Sequence, residues 1–373
     1  MTAGQPSRLR ICLITENLQP PFDEGKKKLV DSLIRAMSGR CHVTGISVGR
    51  GEPKTPGVVN VPANKLFLSL RLWAAIRKSR PHVVCYVPSS SLTVMGFIRC
   101  GVLRTLAPGA KLMAINMQPR RHGALSRWFL RLLCPDVVFA QDEIALDELS
   151  RLGCTTHFLP SGVDLDRFVP VDPERKKALR HQYGIPTSKY VVLHAGHIKA
   201  SRNVEYFKNL PEGFQGIVMG GSSMGQERAV AQDLRQHGVV VLDTYQEHVE
   251  EVYQVADCYL FPVRSPDASI GVPLSVLEAM ACNLPVVTYR FGGLPLLFSE
   301  GNGLIYASSQ DELHQGLKTA SQLPSVHTRK MVESLSWDKL ASRFVALVAS
   351  SGGAEFPVAT TQTDGQPARG ESI

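Results

Sequence analysis

Short apolar runs and helical segments alternate along almost the whole chain, and this alternation limits the possible folds more than any other feature. Five runs rich in β-branched residues come first: "RLRICLIT", "CHVTGISV", "HVVCYVP", "AKLMAIN" and "DVVFAQ". Helical segments such as "KKLVDSLIRAM" lie between them, and the pattern restarts at "YVVLHAG". Such alternation predicts parallel sheets with helices on both faces, and the restart predicts two doubly wound, Rossmann-like α/β domains.

The length of 373 residues agrees with two domains. We expect a first domain over 1–166 and a second over 167–350, joined near "LPSGVDLDRFVPVDP" at 159–173. The helical periodicity of "LSWDKLASRFVALVAS" predicts that a helix over 336–350 closes the second domain. The following residues, 351–373, are polar, rich in Gly, Pro and Thr and without periodicity, which is typical of a disordered tail.

Positive charge is concentrated in the first half of the chain. Residues 1–165 carry 22 Lys and Arg against 11 acids, whereas 166–373 carry 19 against 22. Within 53–135 there are thirteen Lys and Arg and no acid. This asymmetry predicts an anionic partner for the first domain.

The sequence indicates neither a membrane span nor a disulfide or zinc framework. The apolar run nearest to the length of a span is interrupted by Arg99 and Arg104. "LRICLIT" near the N-terminus is too short for the apolar part of a signal peptide. Eight cysteines are spread along the chain with no CxxC pair, which favours buried thiols in a reducing compartment. We therefore expect a cytoplasmic protein, with peripheral attachment to the inner face of the membrane as an option.

Candidate binding residues lie where predicted strands end, because open parallel sheets bind ligands beyond the carboxyl ends of their strands. After the first strand, Gly25 opens a helix and Lys26 follows, which suits either an anion site or an ordinary charged first turn. Gly220 follows the strand "GIVM", but the spacing of its neighbouring glycines is wrong for a dinucleotide fingerprint. A glycine turn that lines a cleft is the better interpretation there.

Two further strand ends carry more specific chemistry. After "YVVLHA", Gly196 is followed within six residues by His197, Lys199 and Arg202, a set of donors suited to a diphosphate. A solvated basic loop is the alternative. After "CYLFPV", a helix is expected to begin at about Pro273.

In that helix, Glu278 is the one charged residue of "SIGVPLSVLEAMACNLPVV". A carboxylate in so apolar a stretch needs hydrogen-bond partners. It can accept hydrogen bonds from the two hydroxyl groups of a ribose while the start of the helix holds phosphate.

These residues belong to motifs that occur in a fixed order. The motifs are "LPSGVDLDRFVP", "AGHIKASRNV", "YQEHVEEVYQVADCYLFPV", "GVPLSVLEAMACNLPVV", "GGLPLLF" and "LSWDKLASRF". Over about residues 9–350 the chain resembles the retaining glycosyltransferases of the GT-B fold, specifically family 4, the glycosyl transferases group 1. The resemblance implies two Rossmann-like domains facing a cleft, with the nucleotide-sugar donor held mainly by the second domain and the acceptor mainly by the first.

The resemblance also implies roles for individual residues. Glu278 matches the second glutamate of the family's paired-glutamate motif, which binds the donor ribose, and Gly25 matches a glycine of its N-terminal phosphate loop. His197 and Arg202 fall where the family has Arg and Lys and would meet the donor diphosphate. The start of the helix would meet the same diphosphate through Val272, Pro273, Leu274 and Ser275. Base recognition is expected near Thr244 and Tyr245.

Departures from the family pattern affect the sugar end of the expected site. Ile270 stands where the first glutamate of the pair is expected, and Asn116 lies near the place where many members have a histidine. Leu296 replaces a frequent glutamate in "GGLPLLF". Asp267 could supply the missing carboxylate, and a loop-turn aspartate is an equal alternative.

The resemblance implies sugar transfer with retention, in which the leaving diphosphate itself takes the acceptor proton. Fixed cations and backbone N–H groups would then stabilise charge on the diphosphate. No cofactor and no protein-bound metal are expected. The "DLD" at 164–166 has the form of a metal motif, but Asp164 is expected to fix a turn within the hinge.

Three interpretations of the basic first domain remain open. Residues 65–80 and 120–133 mix Arg and Lys with Leu, Phe and Trp, as interfacial helices do, and could attach to anionic lipid. An anionic, lipid-linked acceptor would also explain the charge, and so would solvated arginines over an ordinary core.

Alternatives to an active transferase are a partner subunit that binds nucleotide-sugar without transfer and, less favoured, a nucleic-acid-binding protein. A sugar-nucleotide 2-epimerase of the same fold is disfavoured by the hinge motif.

Overall fold

The computed structural model describes residues 9–22, 24–49, 51–221 and 227–350. Within these ranges the chain forms two parallel sheets, each covered by helices on both faces, as the alternation of strands and helices predicts. The predicted disordered tail, 351–373, lies outside the described residues.

The first sheet has seven described strands in the order β3-β2-β1-β4-β5-β6-β7, all parallel. The strands are β1 (Arg10–Glu16), β2 (His42–Val48), β3 (Val58–Val61), β4 (Val83–Val87), β5 (Lys111–Asn116), β6 (Val137–Ala140) and β7 (Thr156–Phe158). The helices between them are α1 (Gly25–Ser38), α2 (Leu70–Ser79), α3 (Val94–Leu106), α4 (Ala124–Leu132) and α5 (Glu143–Arg151).

The second sheet has six described strands in the order β10-β9-β8-β11-β12-β13, also parallel. The strands are β8 (Tyr190–Ala195), β9 (Phe214–Met219), β10 (Val240–Leu242), β11 (Cys258–Phe261), β12 (Val286–Tyr289) and β13 (Leu304–Ala307). The helices are α6 (Pro173–Gln182), α7 (Arg228–Gln236), α8 (Val249–Gln254), α9 (Leu274–Ala281), α10 (Leu294–Leu297), α11 (Gln310–Ser321), α12 (Thr328–Val332) and α13 (Trp337–Ser350). Short 3-10 turns occupy Ala200–Arg202, Val204–Asn209 and Glu333–Leu335.

In both sheets the strand order reverses direction next to the first strand of the domain. The reversal lies between β1 and β4 in the first sheet and between β8 and β11 in the second. Loops leave the carboxyl ends of these neighbouring strands toward opposite faces, which opens a crevice where ligands of doubly wound proteins bind. The fold therefore predicts a binding site formed by the loops after these four strands.

The last helix packs on the first domain, although the sequence assigned 336–350 to the second. Leu340, Ala341 and Phe344 of α13 are buried with Ile11 and Leu13 of β1, and α13 lies against α1. The apolar stripe of α13 predicts that the helix is buried but does not say which sheet buries it. The chain thus crosses between the domains twice.

The two crossings touch each other at the hinge. The Val163 N–H donates to the Leu335 carbonyl at 2.9 Å, and a Cβ on Gly162 would lie 2.6 Å from the Trp337 ring. Asp164 Oδ1 accepts hydrogen bonds from two backbone N–H groups, those of Asp166 at 3.2 Å and Arg167 at 3.0 Å. The expectation that Asp164 fixes a turn is confirmed.

One pair of cysteines departs from the expectation of free thiols. Cys134 and Cys154 form a disulfide between the end of α4 and the loop before β7. The other six cysteines are free and buried. The expectation fails here because twenty residues separate the pair in sequence, and only the pairing of β6 with β7 brings the segments before these strands together. Separately, none of the described helices is long and apolar enough to cross a bilayer.

Candidate active site

A cavity of about 410 Å³ lies between the two domains at the carboxyl ends of their strands. Its walls come from the loops after β1, β4, β8, β9 and β11 and from the start of α9. It therefore occupies the crevice that the strand orders define. Most of the residues predicted from strand ends line it: Gly25, Lys26, Gly196, His197, Lys199, Arg202, Gly220, Tyr245, Asp267, Pro273, Leu274, Ser275 and Glu278.

Three predicted site residues do not line this cavity. Asn116 is 2% exposed; its Oδ1 accepts from the Leu92 N–H at 2.7 Å and its Nδ2 donates to the Gln118 carbonyl at 2.9 Å. The Asn116 amide therefore holds the loop after β4 and is not available to a substrate. Val272 is fully buried, and Thr244 lies exposed outside the cavity.

Val272 is held by the first domain. Its N–H donates to Gln141 Oε1 at 3.4 Å, and its carbonyl accepts from the Ser161 hydroxyl at 2.8 Å. The Gln141 amide also donates to Ser161 at 3.0 Å. This network uses the Val272 amide for contact between the domains, so the start of α9 offers a ligand Leu274 and Ser275 rather than Val272.

The α9 helix begins at Leu274, one residue later than expected, with Pro273 as its N-cap. No side chain caps this end. Because the first N–H groups of a helix lack intrahelical acceptors, the Leu274 and Ser275 amides at the cavity wall suit an anion. The side chain of Ser275 is hydrogen-bonded to the buried Tyr259 hydroxyl, which anchors the helix start to β11.

Arg202 supplies a nearly buried cation to the cavity. It ends the 3-10 turn after β8, is 9% exposed, and pairs with no carboxylate of the described residues. Burial lowers the pKa of Arg202 to about 10, so the guanidinium stays charged at neutral pH. An unpaired charge in such a place favours an anionic ligand, because the ligand would supply the missing counter-charge.

Gly196 makes room for that guanidinium. A Cβ at this position would lie 2.3 Å from Arg202 Nη1. His197 and Lys199 follow on the same loop, are partly exposed, and also line the cavity. The predicted cluster of cationic donors after β8 thus lies together at one end of the cavity.

Glu278 lies one helical turn from the start of α9 and is 5% exposed. Its Oε2 accepts a hydrogen bond from the buried Tyr253 hydroxyl at 2.8 Å. Its Oε1 accepts one from the ammonium of Lys28, which belongs to the first domain. The carboxylate that the sequence leaves without a partner therefore forms an ion pair between the two domains.

Lys28 follows Gly25 and Lys26 in the sequence and was not predicted as a site residue. Its ammonium forms the ion pair with Glu278 and also lies 5.0 Å from the centre of the Phe168 ring. Gly25 and Lys28 are three residues apart on α1, so they face the same side of the helix. That spacing is the signal that places Lys28 in the cavity once Gly25 is assigned to it.

Gln118 was also missed as a site residue. Its amide donates to the carbonyls of Asp267 at 3.1 Å and Ser269 at 3.0 Å, which ties the first domain to the loop after β11. Asp267 itself has an exposed side chain at the cavity rim. The Asp267 carboxylate can therefore reach a ligand while Gln118 holds the backbone.

Ile270 fills the place where the two domains meet. It packs against the core formed by β1, α1 and α13, and its Cδ1 lies 3.1 Å from where a Cβ on Gly25 would be. The glycine at the start of α1 thus leaves space for an apolar side chain of the other domain. This contact explains why the position is apolar, and it puts an apolar wall at the first-domain end of the cavity.

Comparison with known proteins agrees with this geometry. Residues 191–322, from β8 into α11, match the family model described as Glycosyl transferases group 1. The matched stretch holds the cationic loop, the start of α9 and Glu278, so the resemblance drawn from the motifs is confirmed for this stretch.

Curated relatives match over part of their length. A D-inositol 3-phosphate glycosyltransferase from Xylanimonas cellulosilytica is 33% identical over 165 residues, which are 40% of this chain and 38% of that protein. A GDP-mannose-dependent alpha-(1-6)-phosphatidylinositol monomannoside mannosyltransferase from Mycolicibacterium smegmatis is 32% identical over 155 residues, 38% of this chain and 40% of that protein. The match thus spans about two fifths of the length of these relatives.

Solved structures match over nearly the whole chain. Anabaena HepE in complex with UDP and glucose superposes with a TM-score of 0.73 at 14% identity, covering 92% of this chain and all of that one. Sucrose-phosphate synthase from Thermosynechococcus elongatus gives 0.71 at 16% identity, covering 92% and 99%. These likenesses confirm the GT-B fold predicted for the two domains.

The described residues contain no group of three His, Cys, Asp or Glu side chains able to hold a metal ion. Within the "DLD" at 164–166, the Asp164 side chain accepts the two backbone hydrogen bonds of the hinge turn described above. Side-chain cations and the start of α9 line the cavity where they can act on an anion.

Proposed function

We propose that the protein is a glycosyltransferase that moves a sugar from a nucleotide-sugar donor to an acceptor with retention at the anomeric carbon. One observation carries the proposal: the nearly buried, unpaired guanidinium of Arg202 faces a cavity that also holds the start of α9 and the Glu278 carboxylate. A diphosphate needs the first two features, and a ribose diol needs the third. The group 1 family match of this same stretch supports the assignment.

The proposed donor lies along the second domain. Its diphosphate is bound by Arg202, His197 and Lys199 together with the Leu274 and Ser275 amides, and its base lies toward Gly220 and Tyr245. The ribose hydroxyls bind Glu278, which requires Lys28 to release one carboxylate oxygen. Lys28 then remains close enough to contribute a cation to the same end of the cavity.

Chemistry in this arrangement depends on stabilising the leaving diphosphate. As the bond from the anomeric carbon to the diphosphate breaks, negative charge grows on the diphosphate oxygen, and Arg202 and the α9 amides stabilise it. That oxygen accepts the proton of the acceptor hydroxyl, which attacks from the same face and so gives retention. Asp267 at the rim is positioned to bind sugar or acceptor hydroxyls.

The acceptor is proposed to enter from the first domain, past Ser89, Ser90 and Gln118. The two relatives named above carry inositol phosphate and phosphatidylinositol mannoside in their names. Together with the positive charge of residues 1–165, these names support an anionic or lipid-linked acceptor.

We also propose that the first domain attaches to anionic membrane surfaces through α2 and α4. On α4, Trp128 is 73% and Leu132 68% exposed; on α2, Leu70 is 84% exposed and Trp73 39%. Both helices also carry arginines, so apolar insertion and attraction to anionic headgroups act at one surface. The double variant Trp128→Ser, Leu132→Ser should float less with anionic liposomes than the native protein. High salt should also reduce the flotation of the native protein. Equal flotation of the native protein and the double variant would refute the proposal.

A two-step experiment tests the donor site. A thermal-shift screen with UDP, GDP, ADP and TDP should find one nucleotide that stabilises the protein, by about 2.7 kcal/mol at one hundred times its Kd. The matching nucleotide-sugars are then assayed for transfer, and NMR assigns the anomeric configuration of the product. Stabilisation by none of the four would refute the proposal. Binding without turnover in any assay would instead favour the partner subunit, for which the apolar Ile270 is the structural argument.

A further inference from the structure

A buried histidine lies behind the cationic end of the cavity and has no role in the proposed function. His194 is the penultimate residue of β8 and has no exposed surface. Its Nδ1 lies 3.1 Å from the Leu260 carbonyl of the neighbouring strand β11. Because a carbonyl can only accept, Nδ1 carries the proton, and Nε2 is left with a lone pair.

The Nε2 atom is buried and has no hydrogen-bond partner among the described residues. The point where a Cβ on Gly196 would lie is 3.3 Å from this atom and 2.3 Å from Arg202 Nη1. The lone pair and the guanidinium thus border the same small space, which only a glycine leaves open. A buried acceptor beside a buried cationic donor is a pairing that both groups need.

Aromatic packing prevents the imidazole from turning away. The ring stacks on Tyr259 with centroids 6.3 Å apart and planes at 20°, and Phe207 and Phe261 lie at 6.2 and 6.0 Å. Burial, and then the charge of Arg202, lower the pKa of His194 to about 3. The ring is therefore neutral at physiological pH, and its lone pair stays directed at the space beside Gly196.

We propose that His194 is a positioning residue for Arg202: when the donor diphosphate binds, Nε2 accepts from the guanidinium a hydrogen bond that the described structure does not contain, and this bond fixes the direction in which Arg202 meets the diphosphate. Among the described residues the guanidinium has no carboxylate partner that would orient it. The inference rests on the proposed function, because the direction of Arg202 matters only when a diphosphate binds.

Three variants separate orientation from packing. His194→Phe keeps the aromatic ring but removes the acceptor, and it should lower kcat ten- to a hundredfold with a smaller change in KM, as expected for a lost hydrogen bond to a charged group. His194→Gln returns an amide oxygen near Nε2 and should recover most of the rate. Phe207→Leu, the matched control, disturbs the same ring stack without removing an acceptor and should change kcat less than threefold.

A double-mutant cycle tests whether His194 acts through Arg202. In an Arg202→Ala background, His194→Phe should cause no further loss of kcat. Full additivity of the two losses would overturn the inference, as would equal rates for His194→Phe and the native protein, or equal losses for His194→Phe and His194→Gln.

Calorimetric titration with inorganic pyrophosphate, UDP and GDP separates this inference from the proposed function. The native protein should bind at least one of the three, and His194→Phe should bind it about tenfold more weakly. Binding by the native protein with unchanged affinity in His194→Phe would overturn the role of His194 alone. Failure of the native protein to bind any of the three, together with no stabilisation by UDP, GDP, ADP or TDP in the thermal-shift screen, would overturn both proposals.

Discussion

Replacing Arg202 with methionine should make the protein more stable and nearly inactive. Arg202 is 9% exposed and pairs with no carboxylate of the described residues, so its charge is desolvated without a counter-charge. Methionine has a similar length, no charge and enough flexibility to fill the same space. The two effects have opposite signs, and this combination is characteristic of a residue retained for binding an anion.

The lowered pKa of Arg202 sets the magnitude of the stability change. Burial takes it from 12.5 to about 10. A difference of this size corresponds to about 3 kcal/mol by which the native state disfavours the charged form. Because the unfolded chain solvates the guanidinium fully, removing the charge should recover about 1–3 kcal/mol, which raises Tm by several degrees for domains of this size.

Urea unfolding and the transfer assay check the two halves of this prediction. The rate should fall at least a hundredfold, since one donor to developing negative charge is worth about 3–4 kcal/mol. Arg264→Met removes an exposed arginine of the same domain and should change neither quantity appreciably. A variant of Arg202 that is less stable than the native protein would refute the reasoning on burial, and one with a near-native rate would refute the assignment of the site.

Three further outcomes follow from the same contacts. Gly196→Ala should weaken nucleotide diphosphate binding at least tenfold in calorimetry, because the new Cβ would lie 2.3 Å from Arg202 Nη1. The control Gly39→Ala, whose Cβ would have no atom within 4 Å, should bind the nucleotide diphosphate normally. Lys28→Met should lower the free energy of unfolding by about 3 kcal/mol in urea titrations, because it leaves Glu278 buried without its cation. An unchanged free energy of unfolding would show that the Lys28–Glu278 pair contributes nothing to stability. We propose that the mechanism needs no metal, so EDTA should leave the transfer rate unchanged; activity lost on chelation and restored by a divalent cation would contradict this proposal.

Much of the site could be predicted because its chemistry follows strand ends. Gly196, His197, Lys199 and Arg202 follow one strand, and Glu278 follows another on the next helix. Since parallel strands in one sheet end at one edge, residues distant in sequence could be assigned to one cleft without coordinates. Asn116 fails this rule although it ends β5, because its side chain turns back to hold the neighbouring loop.

Contacts across the domain boundary could not be predicted in the same way. Lys28 meets Glu278 across 250 positions, and Gln118 meets the loop after β11 across about 150. Such pairs depend on how the two sheets face each other, which local periodicity does not specify. The same holds for His194, since a histidine inside an apolar strand gives no sign of which buried group lies beside its second nitrogen.

By itself, the sequence determined the two doubly wound domains, the hinge, the cationic loop after β8 and the carboxylate on α9. These features depend on periodicity and on short spacings, which act over a few residues. Only the tertiary structure decided that α13 returns to the first domain, that Cys134 and Cys154 join, and that Glu278 pairs with Lys28. Each of these contacts joins elements whose separation in space, rather than in sequence, sets the energy of the interaction.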